Sequence, residues 1–335
     1  LQSNVAGLDA GKDTIFITCG IWFVGSHLAR RFLDHGDRVV IYDVLKTYFS
    51  PLEDSLFPTY LRERHKALGA RAEIIQGDIR DYGRLHESLA RVQPDKVVHL
   101  AGLTVADLSD KHPYEAMEAN FAGTMNVLNA VRTIPSIKKL INISSSMVYG
   151  DFQYVPCDEA HPANPKGIYG ASKLCSEVMV RAYTQRFGVP HVIIRPSAVY
   201  GPTDSNRRVT QIFFENAFTQ KPIVLHDGGT GELDFTYVED TAQGIFLATK
   251  NDAVMNETFN ITRGEGRSLK EFAEILKTHF PDLRIMSASV PEEERKPRRG
   301  AMDIAKARVR LGYNPSYSLE KGIEEYIRFL RPFYA

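Results

Sequence analysis

Three cysteines are all the chain has, at positions 19, 157 and 175, and no two form a CxxC pair. Cys19, Cys157 and Cys175 therefore cannot build a disulfide framework, and reduced thiols in a cytoplasmic setting are the expectation. No apolar run approaches the roughly 20 residues of a membrane-spanning helix, so no membrane partner is expected. Charge of one sign is not in excess either: Lys+Arg and Asp+Glu each total 41. A protein that binds nucleic acid or an anionic membrane wants a basic face, and this balance argues against both. The opening LQSNVAGLDAGKD lacks a basic n-region and an apolar run; it is expected to be a polar lead-in or added remnant, not a signal peptide. No internal repeat or low-complexity tract is present, and no metal site is expected.

What the chain does have is bulk. Its 335 residues, 43% apolar and 24% charged, suffice for one large domain and a smaller lobe. Short apolar runs at 14–19, 38–43, 72–78, 96–102, 139–145 and 191–195 read as strands buried on both faces of a parallel sheet. Between them, 24–36, 81–92, 113–132 and 168–187 carry helical patterns. This alternation predicts an α/β fold, a doubly wound parallel Rossmann sheet. An insertion over 46–70 should hold an extra helix around 61–68. Beyond Arg195 the elements become short and mixed, so 14–195 is expected to form the cofactor domain. Residues 196–335 should be mainly a substrate lobe whose chain crosses back to the sheet.

The first strand runs through Thr18-Cys19-Gly20-Ile21-Trp22-Phe23-Val24-Gly25 into a helix. A helix N-terminus offers free amides and a positive dipole end, which suits a pyrophosphate. In the usual G-x-x-G-x-x-G loop the glycines let the backbone approach the phosphates. Here Cys19 and Trp22 take the first two places and only Gly25 is kept, although Gly20 could still permit a tight turn. Asp43 ends the second strand 18 residues after Gly25, where a carboxylate accepts ribose hydroxyls and repels a 2′-phosphate, favouring NAD over NADP. Asp78 and Ile79 end the third strand, where a carboxylate can meet an adenine amino group. Leu100, Ala101 and Gly102 end the fourth with small residues.

Tyr169-Gly170-Ala171-Ser172-Lys173 opens a helical stretch, so Tyr169 and Lys173 share one face. A phenol with a pKa near 10 is a poor base at neutral pH, but a neighbouring ammonium favours the phenolate. The pair could then take a carbinol proton while hydride leaves for NAD. Upstream, Ser144-Ser145-Ser146-Met147-Val148-Tyr149-Gly150 closes the fifth strand and offers a hydroxyl to the same oxygen.

With these motifs, the chain resembles the extended short-chain dehydrogenases/reductases of the nucleotide-sugar epimerase/dehydratase type, with a UDP-glucose 4-epimerase-like pattern. The resemblance covers roughly 14–330. It includes HLAG (99–102), EANFAGTMNVLNA (118–130), SSSMVYG, YGASK, RPSAVYGP, LDFTYVED, ETFNIT and the closing segment 303–326. It implies Ser145, Tyr169 and Lys173 as catalytic residues. The cofactor site it implies comprises Gly20, Phe23, Val24, Gly25, Asp43, Asp78, Ile79, Leu100, Ala101, Gly102, Asn120, Tyr169 and Lys173. For the nucleotide-sugar substrate the candidates are Ser146, Arg207, Arg208, Arg298 and Arg299, with Arg295 and Lys296 beside them. A homodimer through 113–132 and 168–187 is also implied.

Similar 4,6-dehydratases and decarboxylases usually place Glu just before VYG, and similar 3,5-epimerase/reductases a Cys. This chain has Met147, which has no proton to exchange. One-carbon redox chemistry remains, and the resemblance favours C4 epimerisation with NAD kept bound. Ala198 and Leu233 depart from the Asn and Arg that often hold the substrate diphosphate. Two other readings stay open: an NAD-dependent dehydrogenase or reductase of a hydroxy compound, and a non-catalytic NAD-binding protein.

Overall fold

The computed structural model describes residues 12–46, 56–291 and 297–334. Most of the polar lead-in, part of the 46–70 insertion, and Arg295 and Lys296 lie outside the described residues. Seven parallel strands form the central sheet. Six are β1 (Thr14–Thr18), β2 (Arg38–Asp43), β3 (Glu73–Gln76), β4 (Lys96–His99), β5 (Lys139–Ile143) and β6 (His191–Pro196). The seventh, Glu257–Ile261, pairs beside β6, so the chain returns to the sheet after leaving it for the second lobe.

Apolar content and alternation explain why these segments bury on both sides. In β1, Ile15 and Ile17 join one core, while Phe16 points to the other. The first core is closed by Leu28, Ala29 and Phe32 of α1 (Phe23–His35) and by Ala242, Ile245 and Ala248 of the helix Val238–Lys250. The second is closed by Leu85 and Leu89 of α3 (Tyr82–Val92), by Val127 and Leu128, and by Val180. Gly36 ends α1 in the left-handed region, at φ 98°, where its amide reaches the carbonyls of Phe32 and Leu33.

The strand order places β1 between β2 and β4, so the connections diverge above the carboxyl end of β1. In open α/β sheets this is where ligands bind. Two helices depart from the simple pattern. The expected 61–68 helix is longer, as α2 (Phe57–Leu68). The expected 113–132 helix is broken by a π turn over Glu118–Ala122, which inserts an extra residue at Asn120.

The second lobe has an aromatic core: Phe213, Phe214, Phe235, Phe272 and Tyr326 pack together. Among the described residues no helix is long and apolar enough to cross a membrane, and no His, Cys, Asp and Glu group could hold a metal ion.

The helix Ile168–Phe187 is fastened to β6 by a buried charge pair. Arg195 Nε donates to Glu177 Oε1 at 2.8 Å and its Nη2 to Oε2 at 2.6 Å. Burial pushes the Glu177 carboxyl up, but Arg195 outweighs it and holds the group below the usual carboxylate range. Truncating one partner leaves the other charge buried and alone. Glu177→Ala should therefore cost about 3–5 kcal/mol in urea unfolding, whereas a surface pair would cost under about 1 kcal/mol.

Candidate active site

A crevice lies above the carboxyl ends of the strands. From the sheet side it is lined by Cys19, Trp22, Phe23, Val24, Gly25, Asp43, Asp78, Ile79, Leu100, Ala101, Gly102, Ser144, Tyr169 and Lys173. From the second lobe come Val199, Ser205, Asn206 and Arg208. Of the expected cofactor residues, Gly20 and Asn120 stand back from it. A side chain at Gly20 would meet Ile41 at 2.8 Å, so this glycine serves packing between strands.

Thr18 shapes the wall between β1 and β4. Its Oγ1 accepts from the amides of Leu100 and Ala101, both at 3.1 Å, and lies 2.9 Å from His99 Nδ1. His99 Nε2 is 3.1 Å from Thr124 Oγ1, which donates to the Asn120 carbonyl at 2.6 Å. Burial pushes His99 down to about 3, so it is neutral and acts as a relay of hydrogen bonds. Asn120 in turn grips the backbone of Leu103 in both directions, at 2.8 and 3.1 Å, and donates to Ser172 Oγ at 2.9 Å. A side chain at Gly102, φ 156°, would lie 2.3 Å from Asn120 Oδ1, so only glycine lets the wall pass there.

The altered glycine loop is folded but strained. Cys19 occupies the left-handed region at φ 62° with its amide bonded to the Tyr42 carbonyl at 2.9 Å. Gly25 is fixed by that carbonyl of Cys19, which a Cβ would approach to 2.3 Å. The Trp22 indole lies against Asp43, Nε1 to Oδ1 at 3.1 Å, flanked by Phe57 at 6.1 Å and by the Arg64 guanidinium at 5.4 Å. Asp43 also accepts from the amides of Leu45 and Ile21, at 3.0 and 3.3 Å. A carboxylate has about four acceptor positions, so one remains for a ribose hydroxyl. Asp78 lies further along and is gripped by Arg80, which holds its carboxyl low despite partial burial. At the start of α1 there is no side-chain cap and no acidic residue in the first turn. The amides of Phe23, Val24 and Gly25 have no partner among the described residues.

At the other end, Ser145 acts on the Tyr169 phenol and lowers it, while the Ser145 Oγ accepts from the Met147 amide at 3.2 Å. Lys173 Nζ donates to the Ile143 carbonyl at 2.9 Å. The expected lowering of Tyr169 is outweighed. Burial raises the phenol, and the groups that pull it down are Arg208 and Ser145. The ammonium is turned to the β5 carbonyl instead.

The expected substrate residues scatter. Arg208 lines the crevice, but Arg207 pairs with Glu215 at 3.3 Å and does not. Ser146 is buried in the turn after β5, away from the crevice lining. Arg298 is exposed; its amide donates to Asp151 Oδ1 at 2.8 Å and its charge helps hold that carboxyl low. Arg299 is only partly buried; burial around its guanidinium lowers it to about 10, and it too is off the crevice lining. Charge density at 295–299 suggested a binding loop, but charge density cannot tell which way an arginine points. Sequence reasoning missed Arg64, Thr18 and Arg80. Arg64 sits in an insertion helix with no motif, and a threonine at a strand end carries no signal of its own.

A family model described as GDP-mannose 4,6 dehydratase matches residues 16–326. A dTDP-glucose 4,6-dehydratase of Neisseria meningitidis is 30% identical, over 94% of this chain and 92% of its own. A dTDP-L-rhamnose 4-epimerase of Burkholderia thailandensis is 25% identical, over 96% and 95%. A solved Bacillus cereus UDP-glucuronic acid 4-epimerase, in complex with UDP-glucuronic acid and NAD, is 27% identical with a TM-score of 0.85. That likeness covers 96% of this chain and all of that one.

Lys173 supplies a test of the site's dryness. Burial pushes it down to about 8, against an ordinary value of 10.5. Below that folded value both states are protonated. Between it and the ordinary value the unfolded chain alone holds the proton, so stability rises with pH, by up to about 3 kcal/mol. Lys173→Met should abolish this part of the rise when unfolding midpoints are compared between pH about 8 and 10.

Proposed function

Because the chain belongs to the GDP-mannose 4,6-dehydratase family, among the extended short-chain dehydrogenases/reductases that act on nucleotide sugars, we propose that it is an NAD-dependent nucleotide-sugar epimerase acting at C4. The observation that carries this reading is the surroundings of Tyr169. Burial raises its phenol while Arg208 and Ser145 lower it, and no carboxylate is among the groups that shift it. A dehydratase needs a second acid or base to expel water, and Met147 offers none. The relatives include both epimerases and dehydratases, so the choice between them rests on this geometry.

NAD fits the crevice. The free amides of Phe23, Val24 and Gly25 suit a pyrophosphate, Asp43 keeps an acceptor position for a ribose, and the Leu100–Gly102 wall presents small residues and a backbone kept bare at Gly102. When bound, NAD supplies an acceptor and donor for one hydride. Tyr169 takes the proton of the sugar carbinol and later returns it. Ser145 orients that oxygen, and Arg208 favours the phenolate that forms in between. Lys173, anchored on Ile143, holds positive charge near the nicotinamide end. Rotation of the keto sugar before proton and hydride return inverts C4. The exposed Tyr114, Val178 and Phe187 on the helices at 113–131 and 168–187 support a homodimer through those helices.

Tyr169→Phe should cut turnover by about 10²- to 10⁴-fold, the usual contribution of a positioned proton donor. It should leave NAD bound, as read by cofactor retained after gel filtration. Product analysis over a panel of UDP- and dTDP-sugars should give a 4-epimer with no net reduced nicotinamide. A keto-deoxy product, or stoichiometric reduced cofactor, would refute epimerisation in favour of dehydratase or dehydrogenase chemistry.

A further inference from the structure

Two features near the cofactor loop are unexplained by the mechanism: a tryptophan where the loop needs a glycine, and a buried arginine in the inserted helix. Arg64 is 1% exposed. Its Nη2 donates to the Thr203 carbonyl and, at 2.7 Å, to Ser205 Oγ, while its Nε and Nη1 have no partner among the described residues. Leaving guanidinium donors buried and unpaired destabilises a folded protein. The crevice runs past this side chain. Burial lowers Arg64 to about 10, so it stays charged at neutral pH. The carboxylate that acts on it most strongly is Asp204, which is fully buried, has an unpartnered Oδ2 and forms no ion pair with Arg64 among the described residues. Burial raises the Asp204 carboxyl, which weakens any internal compensation.

Trp22 explains how Arg64 comes to be there. Its indole is pinned by Asp43 on one edge and packs between Phe57 and Arg64, both from α2. The residue that removes a glycine from the loop is thus the residue that docks α2 against it. The docked helix brings a cation within electrostatic reach of Cys19, the first position of the same loop. Beside it stand the three free amides of α1, a helix of 13 residues.

We propose that Arg64 ligates the diphosphate of the bound dinucleotide, supplying by a guanidinium the contacts that a glycine-poor loop cannot make with its backbone. The inference rests on the NAD-binding reading above. A guanidinium fork pairs with phosphate oxygens in two places and keeps its charge in a dry site. It therefore suits a position where the backbone is held off by side chains. The nucleotide sugar also carries a diphosphate, and Thr203 and Ser205 belong to the lobe that faces it, so the two sources must be separated by experiment.

Trp22 is the only tryptophan of the chain and makes a built-in reporter. The protein, stripped of cofactor, is titrated with NADH, ADP-ribose, adenosine and UDP while Trp22 fluorescence is followed, for wild type, Arg64→Gln and Arg64→Lys. Loss of a charge-assisted pair to phosphate should weaken NADH and ADP-ribose in Arg64→Gln by about 10- to 100-fold. Adenosine and UDP should bind as in wild type, and Arg64→Lys should recover part of the loss. Circular dichroism of the ligand-free variants checks the fold; if Arg64→Gln does not fold, the lysine variant carries the test, with an intermediate loss expected. Unchanged NADH affinity in a folded Arg64→Gln overturns the role of Arg64 and leaves the NAD reading standing. Weakened UDP with unchanged NADH overturns it in favour of the substrate diphosphate. A wild-type protein that binds no NADH overturns both.

Discussion

The hydrogen bond from the Lys173 ammonium to the carbonyl of Ile143 joins the two halves of the site. A buried ammonium must find an acceptor, and the end of β5 is the one that offers a carbonyl left free where the strand stops. That contact ties the helix Ile168–Phe187 to the end of β5, where Ser145 acts on the Tyr169 phenol. The Glu177–Arg195 pair fixes the helix one element further on, against β6. The helix is thereby locked at two points to adjacent strands.

The second constraint is the crowded edge between β1 and β4. Thr18, His99, Thr124 and Asn120 form one chain of hydrogen bonds that carries the position of the strand ends to the helix bearing Ser172. The π turn at Asn120 makes this possible, because an extra residue in the helix swings its amide out to the Leu103 backbone. Here the structure trades regular helix geometry for a rigid wall against which a flat cofactor can lie.

Much of this was legible in the chain. Near-continuous apolar runs such as KVVH and KLINI marked buried parallel strands, and YGASK after a serine-rich strand end marked two residues that line the crevice, Tyr169 and Lys173. Asp43, Asp78 and the Leu100–Gly102 wall were legible because their positions at strand ends follow from topology. The arginines were not. Arg207 and Arg208 are neighbours in sequence, yet one pairs with Glu215 and the other faces Tyr169, since the backbone at 207 turns into the left-handed region. Lys173 was legible beside Tyr169 by helical spacing; that Arg208, from the second lobe, also acts on the phenol was not.

By itself, then, the sequence determined the sheet, its crossover helices, the Tyr169/Lys173 pair and the loss of two loop glycines, because each depends on local periodicity or on short spacing. Tertiary structure alone decided what replaced those glycines. The Trp22 indole bound to Asp43, and α2 docked on it to bring Arg64 to the crevice, across an insertion whose sequence carries no motif. A side chain's charge is written in the sequence, but the direction in which burial aims it is set by packing among segments far apart in the chain.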